Sequence, residues 1–172
     1  VHDFTKGADN SPLEYSIGRY DENREGMYES ELFEGVRTLH VGIDIGGPVG
    51  TPVHTFYDGV VFSQAYLPAK GDYGNVIIIE YDFDGKKLWA LYGHLNSASI
   101  THLKTGQKIK SGEIIGWFGD KHENGGWEPH LHFQISIEKP FNCDMPGVVD
   151  PSERELAIKK YLDPRIVLGD LY

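Results

Sequence analysis

A single cysteine, Cys143, stands in the 172-residue sequence, so an intrachain disulfide is impossible and a thiolate-rich zinc site is excluded. Long apolar runs are missing as well. The longest aliphatic stretch is Val76 to Ile79, far short of the ~20 residues that cross a bilayer as a helix. Val1 to Asn10 carry neither the basic nor the apolar part of an export signal. Positive charge is scarce: 16 Lys and Arg stand against 26 Asp and Glu, a formal net charge of -10 with neutral histidines, and no basic run occurs. Nucleic acid and an anionic membrane surface are therefore not expected as partners. The acidic residues, Glu29, Glu31, Glu34, Asp82, Asp84 and Asp150 among them, are spread as on a solvated surface. A bound divalent cation would offset part of that charge locally.

What is present suffices for a folded domain. Hydrophobic residues make up 40% and aromatic residues 12%, and the length suits one sizeable core without covalent staples. Residues 1–37 read as a polar lead-in that packs on something larger, with turns at Ser11-Pro12 and Asp21-Glu22-Asn23. Its charged run from Arg19 to Glu25 reads as a surface brace of local opposite-charge pairs. Residues 38–138 have a different texture: short stretches rich in Val, Ile, Tyr, Trp and Phe, separated by glycine-containing turns. Strands are expected over His40 to Ile45, Thr51 to Phe56, Gly59 to Tyr66, Gly74 to Tyr81, Lys87 to Gly93, Gln107 to Lys110, Glu113 to Phe118 and His130 to Ile137. Asp84-Gly85 marks a hairpin turn. Residues 139–172 form an extension with one short helix, capped by Ser152 with Glu155 three residues on, anchored by Leu156, Ile158, Tyr161 and Leu162, and stopped at Pro164. The class is mainly β, a compact antiparallel sheet structure.

The chemistry lies in the histidines. In His130-Leu131-His132 two rings share one face of a strand while Leu131 enters the opposite, apolar layer. His40 and Asp44 also share a face, yet four extended residues hold them too far apart for one ion, so the chain must curl; Gly42, Gly46 and Gly47 permit it. Two imidazoles and one carboxylate are a donor set that zinc accepts with a fourth position open. His94 and the remaining strand histidine are then available to move protons and to steady an oxyanion. The residues alone leave open whether His130 or His132 is the ligand. His54 reads as structural or groove-lining, Trp127 as a substrate wall or a core residue, Tyr92 as orienting His94 or packing, and Asn75 as a substrate contact or a turn residue.

His40-x-Gly-x-Asp44, Tyr92-Gly93-His94-Leu95 and His130-Leu131-His132, with Gly50-Thr51-Pro52-Val53, Gly106-Gln107-Lys108-Ile109 and Gly116 between them, closely resemble the lysostaphin-like zinc endopeptidase family, also called LytM or β-lytic. The similarity covers roughly Thr38 to Ile137. It implies a duplicated-hybrid-motif-like β fold with its site in a groove. It implies Zn2+ held by His40, Asp44 and His132, with His94 and His130 facing the catalytic water. The implied activity is endopeptidase cleavage of peptide bonds, typically in peptidoglycan, in the periplasm or outside the cell. The lead-in with RYDENR, the KHENGGWEPHLHF stretch and the YLDPRIVLG end resemble versions of this domain embedded in multidomain proteins beside an aminotransferase-like module, where a cytoplasmic setting applies. Two other functions stay open at this point: a noncatalytic zinc-containing module that binds peptide or glycan, and a hydrolase of another amide within a larger metabolic protein.

Overall fold

The computed structural model describes residues 15–27 and 36–172. In chain order the elements are β1 (Ser16–Gly18), β2 (Glu22–Asn23), β3 (Leu39–His40), β4 (Ile43–Gly46), β5 (Pro52–His54), β6 (Gly59–Leu67), β7 (Gly74–Phe83), β8 (Lys86–Leu95), α1 (Ser97–His102), β9 (Lys108–Ile109), β10 (Ile114–Trp117), β11 (His130–Ser136), β12 (Val148–Val149), α2 (Arg154–Lys160), β13 (Tyr161–Leu162) and α3 (Arg165–Leu168). An eight-stranded antiparallel sheet runs β1-β4-β11-β8-β7-β6-β9, with β13 continuing the β4 side of β11. Two small sheets flank it, β10-β5 and β12-β3-β2.

Alternation along the central strands explains why both faces of the large sheet are covered. From β7, Ile77, Ile79 and Tyr81 enter one apolar cluster while Val76 and Ile78 enter the other; from β8, Ala90 and Tyr92 oppose Trp89 and Leu91. A strand buried on both sides reads as a continuous aliphatic run, which accounts for Val76 to Ile79. Asp84 (φ 53) and Gly85 (φ 85) form the tight turn between β7 and β8, with both central residues left-handed as such hairpins require.

The extension departs in detail from its sequence signals. Asp150, not Ser152, supplies the cap: its side chain accepts from Ser152 N at the start of a 3-10 turn over Pro151–Glu153 that runs into α2. Helix α2 ends at Lys160, and Pro164 begins α3 rather than stopping α2. Leu156 is exposed, so Ala157 and Tyr161 carry the packing. In the lead-in, β1 pairs with β4 and β2 with β3. The Ser11-Pro12 turn lies outside the described residues. Among the described residues no helix is long and apolar enough to cross a membrane.

Candidate metal centre

Strand β11 carries the site. Leu131, Phe133 and Ile135 belong to one apolar cluster, and the alternate residues His130, His132, Gln134 and Ser136, all buried, form a polar stripe on the other face. Register then brings the remaining groups to it. His132 lies opposite Asp44 on β4 and opposite Gly93 on β8, one residue before His94. The curl expected between His40 and Asp44 is a real break: β3 and β4 belong to different sheets, with Val41 and Gly42 between them. Gly42 has no left-handed backbone; its role is close approach, because a Cβ there would stand 2.6 Å from Cε1 and Nε2 of His132.

All five candidate residues line one pocket. Donor atoms of His40, Asp44 and His132 lie within 4.8 Å of one another, and they are the cluster of this kind found among the described residues. His40 Nε2 is 3.1 Å from His132 Nδ1 and 3.2 Å from Asp44 Oδ1, which is 2.9 Å from His132 Nδ1. Hydrogen bonds on the far side of each ring set the tautomers. His40 Nδ1 donates to Arg19 O at 2.7 Å, leaving Nε2 bare. Gln134 donates its amide to Pro146 O at 3.3 Å, so its Oε1 accepts from His132 Nε2 at 3.0 Å and His132 Nδ1 is bare. Three lone-pair donors thus converge. Around a tetrahedral ion with bonds of ~2.0–2.1 Å the edge between donors is about 3.3–3.4 Å. The observed separations are slightly tighter, and the donor set fits a zinc-sized cation.

His94 and His130 stand beside this triad with ring centroids 4.2 Å apart. Each turns Nδ1 to a main-chain carbonyl, His94 to Asn124 O at 2.8 Å and His130 to Glu128 O at 2.7 Å, so both present Nε2 inward. His130 Nε2 is 3.9 Å from Asp44 Oδ1. Burial lowers the His130 pKa to about 4 and that of His40 to about 4, and burial with the His130 charge holds His94 well below the usual imidazole range. Burial by itself raises the Asp44 carboxyl, but the positive charge of His40 once it is protonated in acid, and that of Arg24, outweigh it and hold it well below its usual value. At neutral pH the Asp44 carboxylate is ionised and the His40, His94 and His130 rings are neutral.

His94 is a backbone outlier with φ 61, a left-handed conformation that costs a non-glycine residue ~1–3 kcal/mol. It sits where the β7–β8 pairing slips between Asn75 and Ile77, a bulge that re-aims the ring. Two main-chain bonds hold it there: His94 O accepts from Gly119 N at 2.9 Å, in the loop that follows β10, and His94 N donates to Tyr73 O at 2.9 Å, just before β7. Asn124 organises that loop, accepting from Gly126 N and Trp127 N and donating to Gly119 O and Trp127 O.

Sequence reasoning missed four contributors: Gln134, Asn124, Tyr73 and Arg24. Gln134 was within reach of the period-2 argument, being the next residue on the face of His130 and His132. Tyr73, buried between the rings of His94 and His132 at 5.4 and 5.2 Å, had no signal. The Arg19 to Glu25 run is corrected: Arg24 does pair locally with Glu22 at 2.9 Å, but it is buried and donates from Nη1 to Asp44 Oδ2 at 2.7 Å. Tyr92 packs in the apolar layer, its hydroxyl on Tyr81 at 2.6 Å. Asn75 braces the loop through Leu95 O and Glu123 O. Trp127 lines the pocket, half-buried, and His54 is exposed with Nδ1 on Gly112 O at 2.7 Å.

Residues 38–143 match the model of peptidase family M23. The DD-carboxypeptidase/endopeptidase Mpg of Neisseria meningitidis is 35% identical over 105 residues, which cover 60% of this chain and 22% of Mpg. The chain thus spans about a fifth of that curated relative's length. Among solved structures, the catalytic domain of the prophage-encoded M23 protein EnpA from Enterococcus faecalis superposes with a TM-score of 0.53 at 26% identity, over 83% of this chain and 91% of that one. The catalytic domain of the antimicrobial peptidase lysostaphin from Staphylococcus simulans gives 0.55 at 26% identity, over 81% and 91%. With the family model spanning more than half of the sequence and both solved domains superposing over more than four fifths of the chain, the chain belongs to peptidase family M23.

Proposed function

We propose that this domain is a zinc-dependent endopeptidase that cleaves peptide bonds of peptidoglycan, with His40, Asp44 and His132 as metal ligands and His94 and His130 as the proton-transfer pair. The observation that carries the reading is the convergence of three bare donors beside two inward-facing imidazole nitrogens in one pocket. A zinc ion held there would supply Lewis acidity, polarising the scissile carbonyl and acidifying water.

The rest falls to the chain's own residues. His94 and His130 are neutral at pH 7 and offer Nε2 lone pairs, so one accepts the proton of the attacking water. The imidazolium so formed lies within the pocket, steadies the tetrahedral oxyanion and returns the proton to the leaving amine. The carbonyls of Asn124 and Glu128 hold the two rings in place through Nδ1 during both transfers. Tyr73, Trp127 and Met145 supply apolar wall to the same pocket, and Arg37, Asp72 and Asp144 supply polar groups at it. The substrate class is supported by a relative, the peptidoglycan DD-endopeptidase ShyA of Vibrio cholerae, 32% identical over 122 residues that cover 69% of this chain and 26% of ShyA.

The test is cleavage of crosslinked peptidoglycan fragments followed by mass spectrometry. Cleavage is expected, abolished by chelation and restored by zinc. A zinc-loaded protein that leaves these fragments and a diverse peptide set intact contradicts the proposal, as does a protein that takes up no zinc.

A further inference from the structure

Two of the three candidate ligands are braced from outside the family core. Residues 38–143 are the matched stretch, yet His40 Nδ1 donates to the carbonyl of Arg19 at 2.7 Å, and Asp44 Oδ2 accepts from Arg24 at 2.7 Å. The segment that carries both is sewn to the core by its backbone: Asp21 N donates to His40 O and Arg24 N to Thr38 O, each at 2.9 Å. Its far side is tied to α2 by the Arg154–Asp21 ion pair. The two oxygens of Asp44 are divided between distinct tasks. Oδ1 faces the bare nitrogens of His40 and His132, and Oδ2 faces a guanidinium that is itself buried and held by Glu22.

We infer that Arg24 is a positioning residue of the metal centre: with Arg19 it forms an outer shell that fixes Asp44 as a one-oxygen ligand, so zinc affinity depends on a segment that precedes the family core. The inference rests on the zinc reading above. A carboxylate held at one oxygen cannot swing to offer the other or both, so the donor atom is already in place when the ion arrives. Arg24 also has an opposing effect, because its positive charge repels a cation bound near Asp44. The two effects have opposite signs on affinity, which makes them separable. Loss of a hydrogen-bonding partner of a ligand costs about 10–100-fold in metal affinity; loss of a repelling charge raises affinity.

The experiment is competition for zinc between the metal-stripped full chain and a chromophoric chelator. Arg24→Met is expected to weaken zinc binding by about 10–100-fold, and Arg24→Lys, which keeps the charge and one donor, by less. Arg154→Met removes only the outer tie to Asp21 and leaves the Arg24 and Arg19 braces and the backbone pairing in place, so its zinc affinity is expected to match the wild type. Should Arg24→Met fail to fold, Arg24→Gln is read in the same way. A wild type that binds zinc alongside Arg24 variants that bind it as tightly or more tightly overturns the inference alone. So does an equal loss in Arg154→Met, which would assign the effect to docking of the segment. A wild type that binds no zinc overturns the zinc reading itself.

Discussion

Replacing Gly42 by alanine adds one carbon atom, and the structure says where that atom goes. The new Cβ would lie 2.6 Å from two atoms of the His132 ring and 2.9 Å from the carbonyl oxygen of Phe133. Ordinary contact starts at 3.4 Å, so the ring would have to retreat by about 0.8 Å. The Phe133 carbonyl belongs to β11, which is paired on both sides with β4 and β8, and gives little. The ring is the softer neighbour, though Gln134 holds it from behind. Metal–ligand distances tolerate about 0.2 Å, a quarter of the required shift. Zinc affinity should therefore fall by at least about 100-fold, the upper end of what loss of a supporting contact costs. Overpacking should also destabilise the metal-free fold by ~1–3 kcal/mol. Chelator competition measures the first, and thermal unfolding with and without zinc measures both. A Gly42→Ala protein with wild-type zinc affinity and the full zinc-induced rise in Tm would refute the reasoning.

Two further outcomes follow from the site. Asn124→Ala removes the side-chain bonds that shape the loop behind His94; kcat should fall by up to about 10²-fold while zinc content stays at the wild-type level, and a variant that loses zinc but keeps its kcat would contradict this. The metal-free protein should lose stability as pH falls from 6.5 toward about 4, because unfolded histidines take up protons near 6.5 whereas His40 and His130 resist until about 4 and His94 is depressed as well. Urea unfolding across that interval checks it, and a flat or rising stability on acidification would be the wrong sign.

The parts of the centre legible in the sequence are those governed by local periodicity. His130-Leu131-His132 declares itself because a strand alternates, and the polar stripe of β11 is that alternation with every side chain buried. The hairpin at Asp84-Gly85 is legible because only certain residues take two successive left-handed conformations. Gly42 was visible but misread: as a source of bend it looked interchangeable with Gly46 and Gly47, whereas its lack of a side chain makes room for a ring from a residue ninety positions on. Arg24 and Asn124 had no local signature for their roles. A charged run on a polar segment looks like surface until the fold lays it across a buried carboxylate, and an Asn-Gly-Gly turn looks like any loop until its carbonyl meets His94. Such contacts depend on how strands far apart in sequence are placed side by side.

The central claim is that three specific side chains make one zinc site and that the two neighbouring histidines do not. Zinc content of purified wild type, His132→Ala and His94→Ala, measured by elemental analysis beside hydrolysis of peptidoglycan fragments, tests it most directly. One zinc per chain is expected in the wild type and in His94→Ala, the latter inactive, and essentially none in His132→Ala. A zinc-free wild type, or a His132→Ala protein that retains a full equivalent of zinc, would contradict the account.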